Sequence, residues 1–163
     1  MPGSGTAPFA VVDIDGVLAD VRHRLVHVQA SPKDWDAFFA GAPDDPPLPE
    51  GLAVARELSG EHTLVYLSGR PERCRADTLA WFESHGLPEG ELLLRRHGDF
   101  RPARIVKVET LDRLSERAPV AMLVDDDALV CAAARRAGYV VLQADWMSEQ
   151  PALLEAQEID GAT

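Results

Sequence analysis

No run of about 18 apolar residues occurs anywhere in the 163-residue sequence, so no segment reads as a membrane-spanning helix. The opening residues, MPGSGTAP, lack the basic start and apolar centre of a secretory signal, and the expectation is a cytoplasmic protein with no membrane partner. Cysteine is scarce. Cys74 and Cys131 are the two present; both fall in predicted helices and read as buried thiols of a reducing compartment rather than a disulfide or a nucleophile. Basic residues number 16 against 27 acidic ones, and the net charge of -11 disfavours an extended surface for duplex DNA. There is no internal repeat and no long low-complexity tract. A glycine-rich loop ending in Gly-Lys-Ser or Gly-Lys-Thr is also missing, so the phosphate loop of a kinase is not expected here.

What is present is ordinary globular composition, 46% apolar and 26% charged. Residues 1–8 read as a flexible lead and 9–163 as one domain. Short apolar runs at 9–13 (FAVVD), 63–67 (TLVYL), 91–94 (ELLL), 121–125 (AMLVD) and 139–142 (YVVL) have the look of strands buried on both faces. Helical patterns lie between them, at 49–58, 71–85, 102–117 and 127–137, punctuated by proline at their starts and glycine or proline past their ends. Strand–helix alternation implies right-handed crossovers and an α/β fold of three layers around a mainly parallel, five-stranded sheet. Residues 19–50 interrupt that rhythm with a short helix over KDWDAFFA and a proline-rich turn. Trp35, Phe38 and Phe39 fasten this insertion to the core in the simplest reading.

In such a sheet, ligands sit where strands end in loops. Asp13 and Asp15 end the first strand, while Asp125, Asp126 and Asp127 end the fourth in the same manner. If both strands are central, these carboxylates converge, and their repulsion demands raised pKa values or a hard divalent cation, with magnesium the usual choice beside phosphate. Two further features call for an anion. Ser68, Gly69 and Arg70 stand between TLVYL and the predicted start of a helix at Pro71, which puts a hydroxyl and free backbone N–H groups at a helix N-terminus. Arg95, Arg96, Arg101, Arg104 and Lys107 then accompany a single acid, Asp99, around the start of another helix, where the macrodipole disfavours cations. The spacing of Ile105, Val108, Leu111 and Leu114 puts Lys107 off the buried stripe of that helix. His23 and His27 are four apart but have no supporting ligand, His97 reads as an exposed loop residue, and Trp81 and Trp146 as packing residues.

DIDGV, LSGR, a lysine near a helix start and VDDD, in that order, resemble the four motifs of the haloacid dehalogenase-like (HAD) phosphohydrolase superfamily over nearly the whole chain. GVLAD, the RHR after it, YLSGR and the basic run before IVKVE are most similar to the 3′-phosphatase domain of polynucleotide kinases. The resemblance implies a Rossmann-like HAD fold with only a minimal cap, and a magnesium-dependent phosphomonoesterase. Asp13 would be the nucleophile that forms an aspartyl-phosphate, and Asp15 the acid and then the base. Asp13, the backbone carbonyl of Asp15, and Asp125 with Asp126 would hold Mg2+, with the share of Asp125 and Asp126 open. Ser68, Gly69 and Lys107 would hold the phosphoryl group, with Arg70 and Arg24 as further substrate contacts. The substrate would be a nucleic-acid 3′ end or, as the alternative, a mononucleotide, with a kinase or ligase as a separate partner. A receiver-like phospho-acceptor module is a third reading, disfavoured because ELLLRR ends without an acid.

Overall fold

The computed structural model describes residues 5–163. Five parallel strands, β1 (Phe9–Val12), β2 (Thr63–Pro71), β3 (Gly90–Arg95), β4 (Val120–Asp125) and β5 (Val141–Gln143), form one sheet in the order β3-β2-β1-β4-β5. This is the α/β, three-layer Rossmann-like sheet expected of the sequence. The strand order reverses between β1 and β4, and the crevice outside the carboxyl ends at such a reversal is where an open sheet receives ligands.

Alternation along β1 divides the core. Ala10 and Val12 join Leu52, Ala55, Trp81 and Phe82 on the face covered by α3 (Pro49–Leu58) and α4 (Arg75–Ser84). Phe9 and Val11 pack with Leu111, Leu114, Val130 and Ala134 on the face of α5 (Ala103–Ser115) and α6 (Ala128–Arg136). All four β1 residues are buried, as a central parallel strand requires. The insertion carries α1 (Val26–Gln29) and α2 (Trp35–Ala40), which with α7 (Pro151–Glu158) enclose a third apolar cluster around Phe38, Phe39 and Leu153. Helix α7 lies in a stretch with no anticipated element.

Three local expectations are corrected. No helix starts at Pro71: β2 continues through it, and α4 begins only at Arg75, after a short 3-10 turn. Pairing of β2 with β3 shifts register between Leu67 and Pro71, so Ser68–Arg70 bulge out of the ladder as a strand irregularity, not a helix N-terminus. Lys107 lies on the buried stripe of α5, with Ala103, Thr110, Leu111 and Leu114, whereas Ile105 is 41% exposed. The helix turns that face to the carboxyl end of the sheet, where a lysine has acids to meet. His23 and His27, read as unsupported by any further ligand, fall in two different short elements.

Helix α3 presses on the loop that follows β1. A Cβ at Gly51 would lie 1.8 Å from the Val17 carbonyl oxygen, an approach only glycine permits. Gly51→Ala is therefore expected to force the helix off that loop and to cost about 1–3 kcal/mol, the usual range for overpacking, read by chemical denaturation. An unchanged midpoint would show that the contact is slack.

Candidate active site

The ends of β1 and β4 deliver two groups of charges to the reversal point. The first is acidic. One carboxylate oxygen from each of Asp13, Asp125 and Asp126 lies within 4.8 Å of the others. Lys107 reaches into this group from α5, with Nζ 2.6 Å from Asp125 Oδ2 and 3.1 Å from Asp13 Oδ1. The second oxygen of Asp125 accepts the Asp127 N–H at 3.0 Å, and Asp127 caps α6 by accepting from Leu129 and Val130. Asp127 is thereby a capping residue. Gly16, at φ +81°, makes room for Asp126: a Cβ there would lie 2.1 Å from Asp126 Oδ2.

Charge balance in this group is incomplete. Burial, and then the neighbouring Asp125, push the Asp13 carboxyl well above the usual range, Lys107 offsetting only part of that. The same two causes push Asp126 up to about 7. Asp13 Oδ2 and Asp126 Oδ1 are buried with no hydrogen-bond partner. Two buried carboxyl oxygens without donors, whose ionisation is suppressed for want of a counter-charge, fit a hard divalent cation such as Mg2+.

The second group is balanced. Asp15 Oδ1 accepts from Arg70 (Nη2 at 2.6 Å, Nε at 3.0 Å) and from Arg24 Nη2 at 3.1 Å. Both arginines also bind Asp45, Arg24 through two bonds of 2.8 and 2.9 Å and Arg70 through one of 3.1 Å. His23 Nε2 meets Asp45 Oδ1 at 2.7 Å. Phe38 supports the Arg24 guanidinium from below, 4.3 Å from its ring centre. Burial alone would raise the Asp15 carboxyl, but Arg70 and Arg24 hold it below its ordinary value. Asp13 and Asp15 are thus two residues apart and oppositely perturbed. The carboxylate of Asp15 is not among the three that could share an ion, and Arg24 and Arg70, expected to face substrate, are buried against acids.

Ser68 is buried on β2, one strand over, where its Oγ accepts the Arg70 N–H at 3.1 Å. Gly69 faces a neighbour that sequence reasoning missed. A Cβ there would lie 2.0 Å from the carbonyl carbon of Thr163, whose hydroxyl is 3.4 Å from Asp15 Oδ2 and whose carbonyl accepts from Arg95 at 3.4 Å. Asp45 was missed as well, standing within what reads as a proline-rich turn. Arg104 pairs with Glu158 and Arg101 with Asp99 and Glu109, while Arg96 is exposed. Trp81 and Trp146 pack and donate to the Asp45 and Val17 carbonyls. Both cysteines are free and buried, and burial raises both thiols, that of Cys131 to about 12.

A three-layer parallel sheet with aspartates at the ends of its first and fourth strands and a buried lysine between them is the arrangement of a HAD-type phosphohydrolase. The family described as the polynucleotide kinase PNKP phosphatase domain matches residues 8–147, and the chain belongs to that family. No curated protein matches. Among solved structures, a chain of the Pnkp1/Rnl/Hen1 complex superposes with a TM-score of 0.71 at 22% identity, covering 86% of this chain and 46% of that one. This chain thus spans less than half the length of that relative. A haloacid dehalogenase-like hydrolase from Streptococcus pneumoniae aligns over 94% of this chain and 92% of its own, with a TM-score of 0.64 at 15% identity. A HAD family enzyme from Bacteroides thetaiotaomicron, an aspartate-to-alanine variant solved with magnesium and inorganic phosphate, aligns with a TM-score of 0.55 at 11% identity, over 90% and 98% of the two chains. At these identities the structures share the fold.

Two outcomes follow from the geometry. Removing the Asp45 carboxylate leaves two buried guanidinium groups short of an acceptor, so Asp45→Ala is expected to cost about 3–5 kcal/mol in chemical denaturation. For Asp126, the folded-state pKa of about 7 lies above the ordinary 3.8, so the folded protein holds the extra proton between those values and loses stability as pH rises through them. A divalent cation needs the deprotonated form. Added Mg2+ should therefore raise Tm more at the top of that window than at the bottom, and an equal shift throughout would count against a carboxylate site.

Proposed function

We propose that this protein is a magnesium-dependent phosphomonoesterase that works through an aspartyl-phosphate and removes the 3′ phosphate from nucleic-acid ends. The carrying observation is the juxtaposition of Asp13, Asp125 and Asp126 around two buried, unpartnered carboxylate oxygens, with Lys107 as the one cation among them. Family membership over residues 8–147 supports the class of reaction.

In this reading an Asp13 carboxylate oxygen attacks phosphorus, the bond from phosphorus to the ester oxygen breaks, and the departing alkoxide takes a proton from Asp15. Water then attacks the aspartyl-phosphate, Asp15 takes its proton, and cleavage of the Asp13 oxygen–phosphorus bond frees inorganic phosphate and regenerates the carboxylate. Lys107 and the Ser68 hydroxyl hold the phosphoryl oxygens, and Lys107 offsets the charge of Asp13. Asp13, Asp125 and Asp126, with the Asp15 carbonyl, would hold the Mg2+, which when bound neutralises charge on the phosphoryl oxygens and on the acids.

The arginine clamp has a part in this. Held by Arg24 and Arg70, Asp15 is ionised and suited to accept the proton of water. Beside the bound phosphate its proton affinity rises, and the proton it gives the alkoxide in the first step is replaced by the one it takes from water in the second. Asp45 gives the arginines a fixed partner throughout that exchange. A chain from an RNA repair complex among the structural relatives supports a place beside a kinase or ligase partner.

The test is turnover with Mg2+ on a panel of 3′-phosphorylated oligonucleotide, 5′-phosphorylated oligonucleotide, mononucleotides and sugar phosphates. Preference for the first is expected. Preference for mononucleotides would favour a nucleotidase, and preference for sugar phosphates would retire the polynucleotide reading. Asp13→Asn should lower kcat by about 10⁴-fold, with Asp15→Asn close behind, and activity surviving the first change would rule out the covalent step.

A further inference from the structure

The groups assigned to the reaction are closed off from solvent: Asp13, Asp15, Ser68 and Lys107 are each between 2% and 4% exposed. Part of the cover is the segment 159–163, which follows α7 and reaches Gly69 on β2. Gly161, at φ +57°, turns this segment against Phe100, and a Cβ on it would lie 1.9 Å from the Phe100 carbonyl oxygen. Two residues on, Thr163 is buried, and its carbonyl carbon lies 2.0 Å from the place a Cβ on Gly69 would take. Its hydroxyl stands 3.4 Å from Asp15 Oδ2.

That carboxylate oxygen is the one the reaction needs. Asp15 Oδ1 already accepts three N–H groups from Arg24 and Arg70. A departing alkoxide, or the attacking water, must therefore meet Oδ2 at about 2.6–3.2 Å, and Thr163 sets an alcohol oxygen at the edge of that position. The tip of the segment is held weakly, since its two polar contacts, to Asp15 Oδ2 and from Arg95 Nη2 to the Thr163 carbonyl, are both 3.4 Å long. Its root is held better. The Ala162 N–H donates to the Ala156 carbonyl at 3.0 Å, and Asp160 pairs at 2.5 Å with Lys33, which also meets Glu155 at 3.1 Å. A segment tied at its root and loose at its tip stays at high local concentration beside a site that it does not grip.

We propose that residues 159–163 are a competitor of the substrate within the chain: Thr163 holds the leaving-group position beside Asp15 and Gly69, and the tip of the segment swings away when a phosphate ester binds. The proposal rests on the phosphatase reading for the nature of the ligand, but the displacement is measurable without turnover. With Thr163 in place, its hydroxyl and the ester oxygen contend for the same Asp15 oxygen, and its backbone covers Gly69. A competitor in equilibrium with an open form raises KM by the inverse of the open fraction and leaves kcat unchanged.

The first experiment places a thiol at the tip, Thr163→Cys, in the whole chain carrying Asp13→Asn, and follows its labelling by a maleimide with Mg2+, with and without a 3′-phosphorylated oligonucleotide. The chain with Asp13→Asn alone reports the background from Cys74 and Cys131, both buried. Labelling about fivefold faster with the oligonucleotide is expected, because the buried tip is then released. Unchanged or slower labelling would overturn the proposal, since the segment would then be a fixed wall. The second experiment loosens the segment away from the reacting groups. Gly161→Val drives a side chain into the Phe100 carbonyl, and Lys33→Ala unties Asp160. Each should lower KM for the same oligonucleotide by about threefold or more with kcat unchanged. A lower kcat or an unchanged KM in both variants would also overturn it. Turnover without displacement leaves the phosphatase reading and removes the competitor; displacement without turnover of any phosphate ester does the reverse.

Discussion

Lys107 between Asp13 and Asp125 is the contact on which the rest of the site depends. A parallel sheet whose order reverses between β1 and β4 brings their carboxyl ends side by side, and in this sequence both ends carry aspartates. Buried like charges at such distances repel strongly, because little water is present to screen them. One ammonium group, 2.6 and 3.1 Å from two of them, makes the convergence tolerable without neutralising it. Helix α5 meets this need by placing a lysine on its core face, which costs that helix a clean amphipathic pattern. The residual negative charge, concentrated on two oxygens without donors, is the feature a cation would relieve.

Set against this, the neighbouring cluster is self-sufficient. Asp15 and Asp45 face Arg24 and Arg70, two acids against two guanidinium groups, with a histidine and an aromatic face completing the shell. Asp13 and Asp15 therefore leave the same strand into opposite electrostatic surroundings, one where burial among acids favours the proton and one where arginines expel it. Two carboxyl groups driven apart in this way can take different parts in one reaction, the division of labour that acid–base and nucleophilic catalysis require. The insertion between the first two strands, which reads as a structural appendage, contributes three of the groups that enforce this difference: Arg24, Phe38 and Asp45.

The strands, their parallel order and the acids at their ends were legible because each depends on a few neighbouring residues: an apolar run, a proline or glycine, an aspartate. The inward turn of Arg24 and Arg70 was not, because their partner Asp45 is 21 and 25 residues away. Without that partner in view, an arginine near a phosphate motif reads as a substrate contact. Lys107 was assigned to the wrong face of its helix because Ile105 and Val108 outweigh one charge in any apolar tally, while the acids it meets are contributed by other strands. Ser68–Arg70 were misread because the proline after them starts helices often, and here it holds the register of β2 against β3 beyond an irregularity. Thr163 and Gly69 are 94 positions apart in the sequence, and only the folded chain shows why the latter lacks a side chain.

The position of α5 also shapes the surface beside the site. An edge strand covered by a helix would close the α5 side of the sheet and leave the loops as the one approach. Here α5 packs on α6 and meets the end of β4 through the Lys107–Asp125 contact, and β3 keeps one face open. The helix that carries the charge pairing of the acidic site also forms one wall of the cleft between α5 and β3. Arginines that would be ill placed at the start of an isolated helix are tolerated there because Asp99, Glu109 and Glu158 pair with some of them and water with the rest. The acidic site and the cleft beside β3 thus share one helix, α5.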